Sequence, residues 1–492
     1  MNHPLRILLI DALGSWLAHS PTLRDLEQVV LPIGLMSIAS NLKHRFNDRV
    51  TVSILHRLVD CDNADDLASK IRQIHPDLIG IRGLHIYRHE FHEAARIARA
   101  EGVRIVIGGG PYSTSSPCEA LSDRNLDCVV IGEGEITFCE IVRCILEGTE
   151  FHHLEGIAAI DPVTDRYVQN PPRPFIEDLD SLQDPDYSLI DPDRYSRFLT
   201  YGYNRRRQAV ILSSRGCPFE CAYCHNIFGR RFRMRSAERV VEEIARLHDH
   251  QGIEDFYFID DNFNMDIPRV NRFCEAMRRR DLKVRLYFAN GVRGDRLTPD
   301  LIDALIDAGT VAMTFAVETA TPRIQTLIRK FNRLDVLERN IHHACDRAIM
   351  VSVCFMIGFP SETVEEAQAT IDFVARFDRI VLPMFFSVKY YPDTDIYEMA
   401  KAHGFDVVRA DQAYDAAYHD ISHSGTPTIP NRAFQAIYFR FLKEVFLNRR
   451  RIENALAIQR RYFTEAELLD AYSLFFRRRI RDIDSDILRL AR

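Results

Sequence analysis

No apolar run in this 492-residue chain reaches the length of a membrane span. The start, Met1-Asn2-His3-Pro4-Leu5-Arg6, runs directly into a strand-like stretch, and nothing in it reads as a secretory signal. Eleven cysteines in a chain of this length are too sparse for a disulfide framework, so free thiols in a reducing cytoplasm are expected. A formal net charge of −7 argues against nucleic acid as the partner. Internal repeats and low-complexity tracts are also missing. What remains is the composition of a soluble globular protein, 46% apolar and 27% charged, long enough for two or three domains with sizeable cores.

Short apolar runs alternating with helical periodicity predict an α/β protein. Residues 1–150 read as a doubly wound parallel sheet, with strands at 6–11, 50–55, 77–81, 104–107 and 128–131. Residues 151–207, punctuated by Pro171, Pro172, Pro174, Pro185 and Pro192 and by aspartates, read as an extended linker. Residues 208–401 return to the alternation. Six units, with strands at 209–213, 255–259, 284–290, 311–317, 351–357 and 384–390, predict a partial (β/α)6 barrel with its site at the C-terminal strand ends. Residues 402–492 form a C-terminal region read as helical. Thr464-x-x-Glu467 is a candidate capping box there, and the arginine runs 449–451 and 477–479 are read as solvated helix faces.

Directly after the first barrel strand stands Cys217-Pro218-Phe219-Glu220-Cys221-Ala222-Tyr223-Cys224, a C-x3-C-x2-C loop. Three thiolates at this spacing suit three irons of a 4Fe–4S cube, and no fourth cysteine lies nearby, so one iron is open to a small molecule. The other reading is a zinc site completed by His225 or a remote residue. Zinc modules usually pair C-x2-C with a second such pair, which is absent here.

The loop resembles that of radical S-adenosylmethionine (SAM) enzymes, and further motifs follow in order at successive strand ends. The resemblance implies an open iron chelated by SAM, reductive cleavage to a 5′-deoxyadenosyl radical, and hydrogen abstraction from a substrate. It places Tyr223 near the adenine. Asp260, Asp261 and Asn262 would meet the SAM amino group, with an Asx turn as the other reading. Arg293 would pair with the SAM carboxylate or with a neighbouring helix. Glu318, in a stretch similar to the family's Ile-Glu-Ser-Gly, would accept from the ribose or amino group, with Ile328-Arg329-Lys330 following in pattern. Gly358 and Pro360 would shape the backbone beside the adenine, and Ser361 with Glu362 or Thr363 would open the next helix.

Residues 1–150 resemble the cobalamin-binding domain found ahead of the barrel in cobalamin-dependent members of that family. Gly108, Gly109 and Gly110, and then Gly132 and Gly134, stand at strand ends where backbone amides approach a ligand. Cobalamin modules often carry Asp-x-His-x-x-Gly after the first strand; here the run is Asp11-Ala12-Leu13-Gly14-Ser15-Trp16, without histidine. Arg82 and His85 face either the corrin or solvent. Bound cobalamin therefore stays open at this point, and with it the outcome. With cobalamin, C-methylation of a small molecule is expected; without it, radical dehydration or deoxygenation of a diol in a sugar or aminoglycoside. A non-catalytic iron–sulfur scaffold is the alternative of another class. The resemblance also implies an electron donor of flavodoxin or ferredoxin type and leaves room for a partner reductase.

Overall fold

The computed structural model describes residues 3–14, 29–198, 204–392, 394–407 and 425–473. The chain divides into two compact units, residues 1–200 with 227–229, and residues 201–226 with 230–492. In the first unit the apolar runs become strands β1 (Leu5–Asp11), β2 (Val50–His56), β3 (Leu78–Arg82), β4 (Ile105–Gly109) and β5 (Cys128–Val130). Helices α1 (Ile33–Phe46), α2 (Ala64–Ile74) and α3 (Arg88–Ala100) lie between them, and α4 (Gly134–Glu147) follows β5. The strand order β2-β1-β3-β4-β5 is parallel throughout. Such an order reverses direction between β1 and β3, where open sheets present their ligand crevice.

The stretch expected to be linker differs. Residues Ile157–Ile160 (β6) and Tyr167–Gln169 (β7) are strands that extend this sheet antiparallel beyond β5. The aspartates that looked like linker composition are local caps: Asp178, Asp186 and Asp191 each accept from the backbone amide two residues on.

The second unit holds six parallel strands, β8 (Gln208–Ile211), β9 (Asp255–Phe258), β10 (Arg285–Val292), β11 (Thr310–Glu318), β12 (Met350–Ile357) and β13 (Leu382–Ser387), paired in strict chain order. Consecutive parallel neighbours need right-handed crossovers, so every crossover falls on the same side. Helices α5 (Ala237–Gln251), α6 (Ile267–Arg280), α7 (Pro299–Asp307), α8 (Leu334–Asp346) and α9 (Val364–Ala375) supply them. α10 (Asn431–Phe441) joins the outer layer, its Phe434 and Phe441 meeting Phe385 and Phe355 edge-on or tilted. The opposite face of each strand is left to line a lumen.

The lower end of that lumen is closed by the C-terminal region. Tyr257 and Tyr287 stack with centroids 4.3 Å apart, and Ala455 and Ile458 of α11 (Arg449–Gln459), with Phe463 and Leu468, pack against them. The Thr464/Glu467 capping box is present, and Glu467 also takes a two-pronged ion pair from Arg206. Side-chain bonds from Arg206 and the capping contacts hold the Glu467 carboxyl down at about 2. Of the arginine run 449–451, the first two are exposed and ion-paired, to Glu453 and Asp378. Arg451 departs from the solvated-face reading. It is buried and donates to the carbonyls of Val445, Phe446, Ile380 and Val381, tying α11 to the start of β13. The run 477–479 and the segment 15–28, with Trp16, lie outside the described residues.

Arg451→Met would strand four carbonyls, so a loss of about 2–4 kcal/mol in unfolding free energy is expected. Arg451→Lys should recover only part of it, because an ammonium lacks the planar fork. Denaturant titration of the two variants checks this.

Candidate active site in the second unit

The cysteine loop starts just beyond β8. A two-residue ribbon, Ser214–Arg215 against Arg233–Met234, pins its base. Further bonds hold its far side. The Ala222 amide donates to the Ile328 carbonyl and the Ile396 amide to the Ala222 carbonyl, both at 2.9 Å, and Asn226 donates to the Cys217 carbonyl. Arg293 lays its guanidinium over the Phe219 ring, 4.0 Å from the centroid, between the first two cysteines.

Burial pushes the Cys217 thiol up, a bond from the Phe219 backbone opposing it and Cys221 and Asp261 reinforcing it. Cys224 stands exposed at the end of the loop, and Cys221, Asp261 and Cys217 act on its thiol in the same upward direction. The three thiols thus lie within one another's fields, where thiolates need a stronger cationic partner than Lys330, whose charge offsets the rise at Cys217 and Cys224 only in part. Iron of a cluster supplies it. Among the described residues no group of three or more His, Cys, Asp or Glu side chains is arranged to hold a metal ion. A cube makes a different demand, because each thiolate binds its own iron. His225, the fourth ligand of the zinc reading, donates its Nε2–H to the Pro392 carbonyl at 2.7 Å.

Asp260, just past β9, is 2% exposed, and its Oδ1 accepts from the hydroxyls of Ser213 and Ser214. Its Oδ2 is buried with no partner, and so is the Oδ1 of Asn262, itself 5% exposed. Burial raises the Asp260 carboxyl despite Arg269 and the two serines. Two buried acceptors without donors carry a desolvation cost that a ligand bringing N–H groups relieves, and the SAM ammonium fits them. Asp261 does something else: it accepts from the Gly216 amide at 3.1 Å, at the entrance to the cysteine loop.

Glu318 ends β11 at a register shift, with φ +64°, a left-handed conformation that turns its side chain. Its carboxylate meets the Lys330 ammonium at 3.0 Å, with both side chains nearly buried. It is also within hydrogen-bonding reach of Tyr223, whose phenol burial and Glu318 together push well above its usual value. Burial pulls Lys330 down, but Glu318 and Cys221 outweigh it and leave it raised. Tyr223 packs on Phe359. Arg293, expected at the SAM carboxylate or on a neighbouring element, is taken by the protein. It donates to Asp295 and to the carbonyls of Lys330 and Phe331.

Beyond β12, Gly358 takes φ +104° and, with Phe359, donates its amide to Glu362 Oε2 at 2.6 and 3.1 Å. Pro360 is buried beside them. Thr363 caps α9 through a box with Glu366, which frees Glu362 for this strap. Glu362 is fully buried with Oε1 unpartnered, and burial pushes it up to about 8 against its two backbone bonds. Lys330, Glu362, Ser213 and Ser214 were not singled out as site residues in the sequence. Only Lys330 had a signal, its place in the Ile328-Arg329-Lys330 run.

In the first unit, a Cβ on Gly108 would strike Phe91, Leu126 and Val129, and one on Gly134 would strike Ile38, so packing explains both. Gly110, at φ +83°, lies against Arg82 and Gly83. A Cβ on Gly109 or Gly132 would meet nothing within 4 Å, leaving open space over the ends of β4 and β5. The nearby Ser113 hydroxyl, on the helix Gly110–Ser115, is buried without a partner. Backbone standing in open space at two strand ends fits a large polar cofactor such as cobalamin. Arg82 is paired to the buried Asp11 at 2.9 Å, and His85 packs edge-on against Tyr112.

A free glutamate titrates near 4.5, and Glu362 near 8, so the unfolded chain releases this proton first. The stability this group contributes is whole below about pH 4.5 and is lost as pH rises toward 8. Glu362→Gln mimics the protonated form. It should match the wild type near pH 5 and exceed it by about 1–3 kcal/mol near pH 8 in denaturant midpoints.

Comparison with known proteins agrees with this geometry. The family model of the radical SAM superfamily matches residues 211–374, and that of the B12 binding domain matches residues 20–142. An uncharacterized methyltransferase of Pyrococcus horikoshii is 31% identical over 377 residues, covering 75% of this chain and 78% of its own. Cytidylyl-2-hydroxyethylphosphonate methyltransferase of Streptomyces wedmorensis is 26% identical over 421 residues, covering 75% and 76%. The solved radical S-adenosylmethionine methyltransferase TsrM of Kitasatospora setae superposes with a TM-score of 0.68 at 19% identity, over 81% of this chain and 76% of its own, a likeness of fold.

Proposed function

Because this chain belongs to the radical SAM superfamily and carries a B12-binding domain ahead of its barrel, we propose that it is a cobalamin-dependent C-methyltransferase acting on a small molecule. The observation that carries this reading is the pairing, in one chain, of a three-thiol loop beside orphaned buried acceptors with a second sheet whose strand ends stand open. Two relatives named as methyltransferases support it. When bound, the cluster and SAM supply hydrogen abstraction from an unactivated carbon, and cobalamin supplies the methyl group.

Each residue then has a task. Cys217, Cys221 and Cys224 hold three irons. Asp260 Oδ2 and Asn262 Oδ1 accept from the SAM ammonium, and Asp261 sets the loop entrance. Glu318, aimed by Lys330 and Tyr223, accepts from the ribose hydroxyls. Glu362 straps the turn of Gly358, Phe359 and Pro360 so that its backbone faces the adenine, and Arg293 fixes the loop through Phe219. Gly109 and Gly132 let the backbone approach the corrin. The electron donor is of flavodoxin or ferredoxin type, and the compartment is the cytoplasm. No helix among the described residues is long and apolar enough to cross a membrane.

Anaerobic reconstitution with iron, sulfide and hydroxocobalamin, followed by gel filtration, tests the reading. Corrin should co-elute with the protein. If none does, methyl transfer is lost and cobalamin-free dehydration takes its place. The double variant Cys217→Ala/Cys221→Ala should lose the brown absorbance near about 400 nm expected of a thiolate-held cluster. Glu318→Ala should keep that absorbance while SAM affinity falls at least about tenfold, roughly 1.4 kcal/mol, by equilibrium dialysis.

A further inference from the structure

Beside the cysteine loop, burial runs against hydrophobicity over two consecutive residues. Phe331 is 58% exposed, whereas the side chain of Lys330 is only 11% exposed. Burial free energy alone would turn the ring in and the ammonium out. The backbone enforces the inversion. Arg329 and Phe331, on either side of Lys330, both take the left-handed conformation, with φ +55° and +51°, which residues bearing a side chain rarely adopt.

The turn is held on several sides. Arg293 donates to the carbonyls of Lys330 and Phe331. The Lys330 amide donates to the Gln325 carbonyl at 3.0 Å, and the buried Gln325 side chain accepts from the Asn332 amide at 3.1 Å. Asn332 in turn donates to the carbonyls of Ala316 and Val317. The cysteine loop stands against the same turn. Ala222 donates its amide to the Ile328 carbonyl at 2.9 Å, and Cys221 Sγ lies 4.0 Å from the Arg329 carbonyl oxygen. What this strained and tightly fixed turn delivers is the Lys330 ammonium.

That ammonium is only partly used. It carries three N–H groups, and among the described residues Glu318 is the one acceptor bonded to it, at 3.0 Å. Glu318 shares its carboxylate with Tyr223, so the two charges are not closed on each other. The field of Lys330 reaches all three thiols of the loop. An electron added to a cluster held by these thiols comes without a proton, so the negative charge at the loop grows by one. A fixed cation with N–H groups to spare stabilises that added charge, because net charge and hydrogen bonds to the sulfurs shift such potentials.

We propose that Lys330 raises the reduction potential of the cluster, its ammonium favouring the reduced form that a one-electron donor of flavodoxin or ferredoxin type produces. This role rests on the cluster assigned to Cys217, Cys221 and Cys224 and is independent of methyl transfer.

The reconstituted full chain, without SAM, is titrated anaerobically with a europium(II) chelate and redox mediators, and the reduced cluster is followed by EPR. Lys330→Met should move the midpoint to a more negative potential. The shift should reach at least a tenfold change in the reduced-to-oxidised ratio, about 59 mV for one electron. Lys330→Arg, which keeps the charge, should stay within half that shift of the wild type. Lys330→Met strands the Glu318 carboxylate, so Lys330→Met/Glu318→Gln repeats the measurement with both charges removed and should still move negative, by less. A midpoint unmoved in Lys330→Met, with cluster absorbance intact, overturns the role. An unmoved double variant assigns the shift to the stranded carboxylate and overturns it too. So does Lys330→Arg falling as far as Lys330→Met, the result a merely structural lysine would give. A wild type without cluster absorbance overturns the cluster assignment together with this role; a wild type that holds the cluster beside unmoved variants keeps the assignment and removes only the role of Lys330.

Discussion

Everything in the second unit depends on one constraint, the handedness of the parallel crossover. Six strands paired in chain order send every crossover helix to one side. That leaves the other side of each strand without a helical partner and aligns all six C-terminal ends on one rim. The cysteine loop after β8, the orphaned acceptors after β9, the turned Glu318 at the end of β11 and the strapped turn after β12 are four sequence-distant segments. The rim makes them neighbours. Without that topology their buried polar atoms would be isolated desolvation costs; with it they share one site whose ligand relieves them together.

Within the site, polar residues divide by whether the protein has already satisfied them. Arg293 donates to Asp295 and two carbonyls and covers Phe219, so its charge serves the loop. Asp261 is likewise committed, to the Gly216 amide. Asp260 and Asn262 each keep one buried acceptor unspent. This difference lies in hydrogen-bond geometry, and residue type cannot express it: four plausible polar residues in the sequence become two that hold the scaffold and two that wait for a donor.

The fold was largely legible because its strands are buried on both faces and read as continuous apolar runs between amphipathic helices. Each of the eleven strands expected in the two sheets is present within a few residues. The exceptions have physical causes. Tyr167–Gln169 is a three-residue edge strand, mostly exposed, with no apolar alternation to betray it, and Ile157–Ile160 sits among turn-forming residues. Arg451 looked like a surface cation because sequence shows charge and not the four carbonyls that a helix packing across β13 would leave in need of donors. Glu362 looked like a helix cap because it stands one residue from the true cap, Thr363. The cysteine loop, by contrast, was legible from spacing alone, since its ligands lie on one short segment.

The first unit poses the sharper question of what stands where a cobalt-binding histidine would. Asp11, the residue that begins the histidine-bearing motif elsewhere, is fully buried and paired with Arg82 across the β1–β3 crevice. One strand over, in register with Asp11, is a histidine, His56. Its Nδ1 accepts from the Leu58 and Val59 amides, which places the ring proton on Nε2. Burial, opposed by Asp11 and Asp60, lowers its tendency to take a second proton. A ring with one nitrogen accepting two backbone donors and the other protonated has no lone pair left for a metal. His56 therefore ends β2 as a helix cap and does not replace the missing ligand. In the proposed reading cobalamin would meet backbone at Gly109 and Gly132, where a Cβ would find nothing within 4 Å, and not this imidazole.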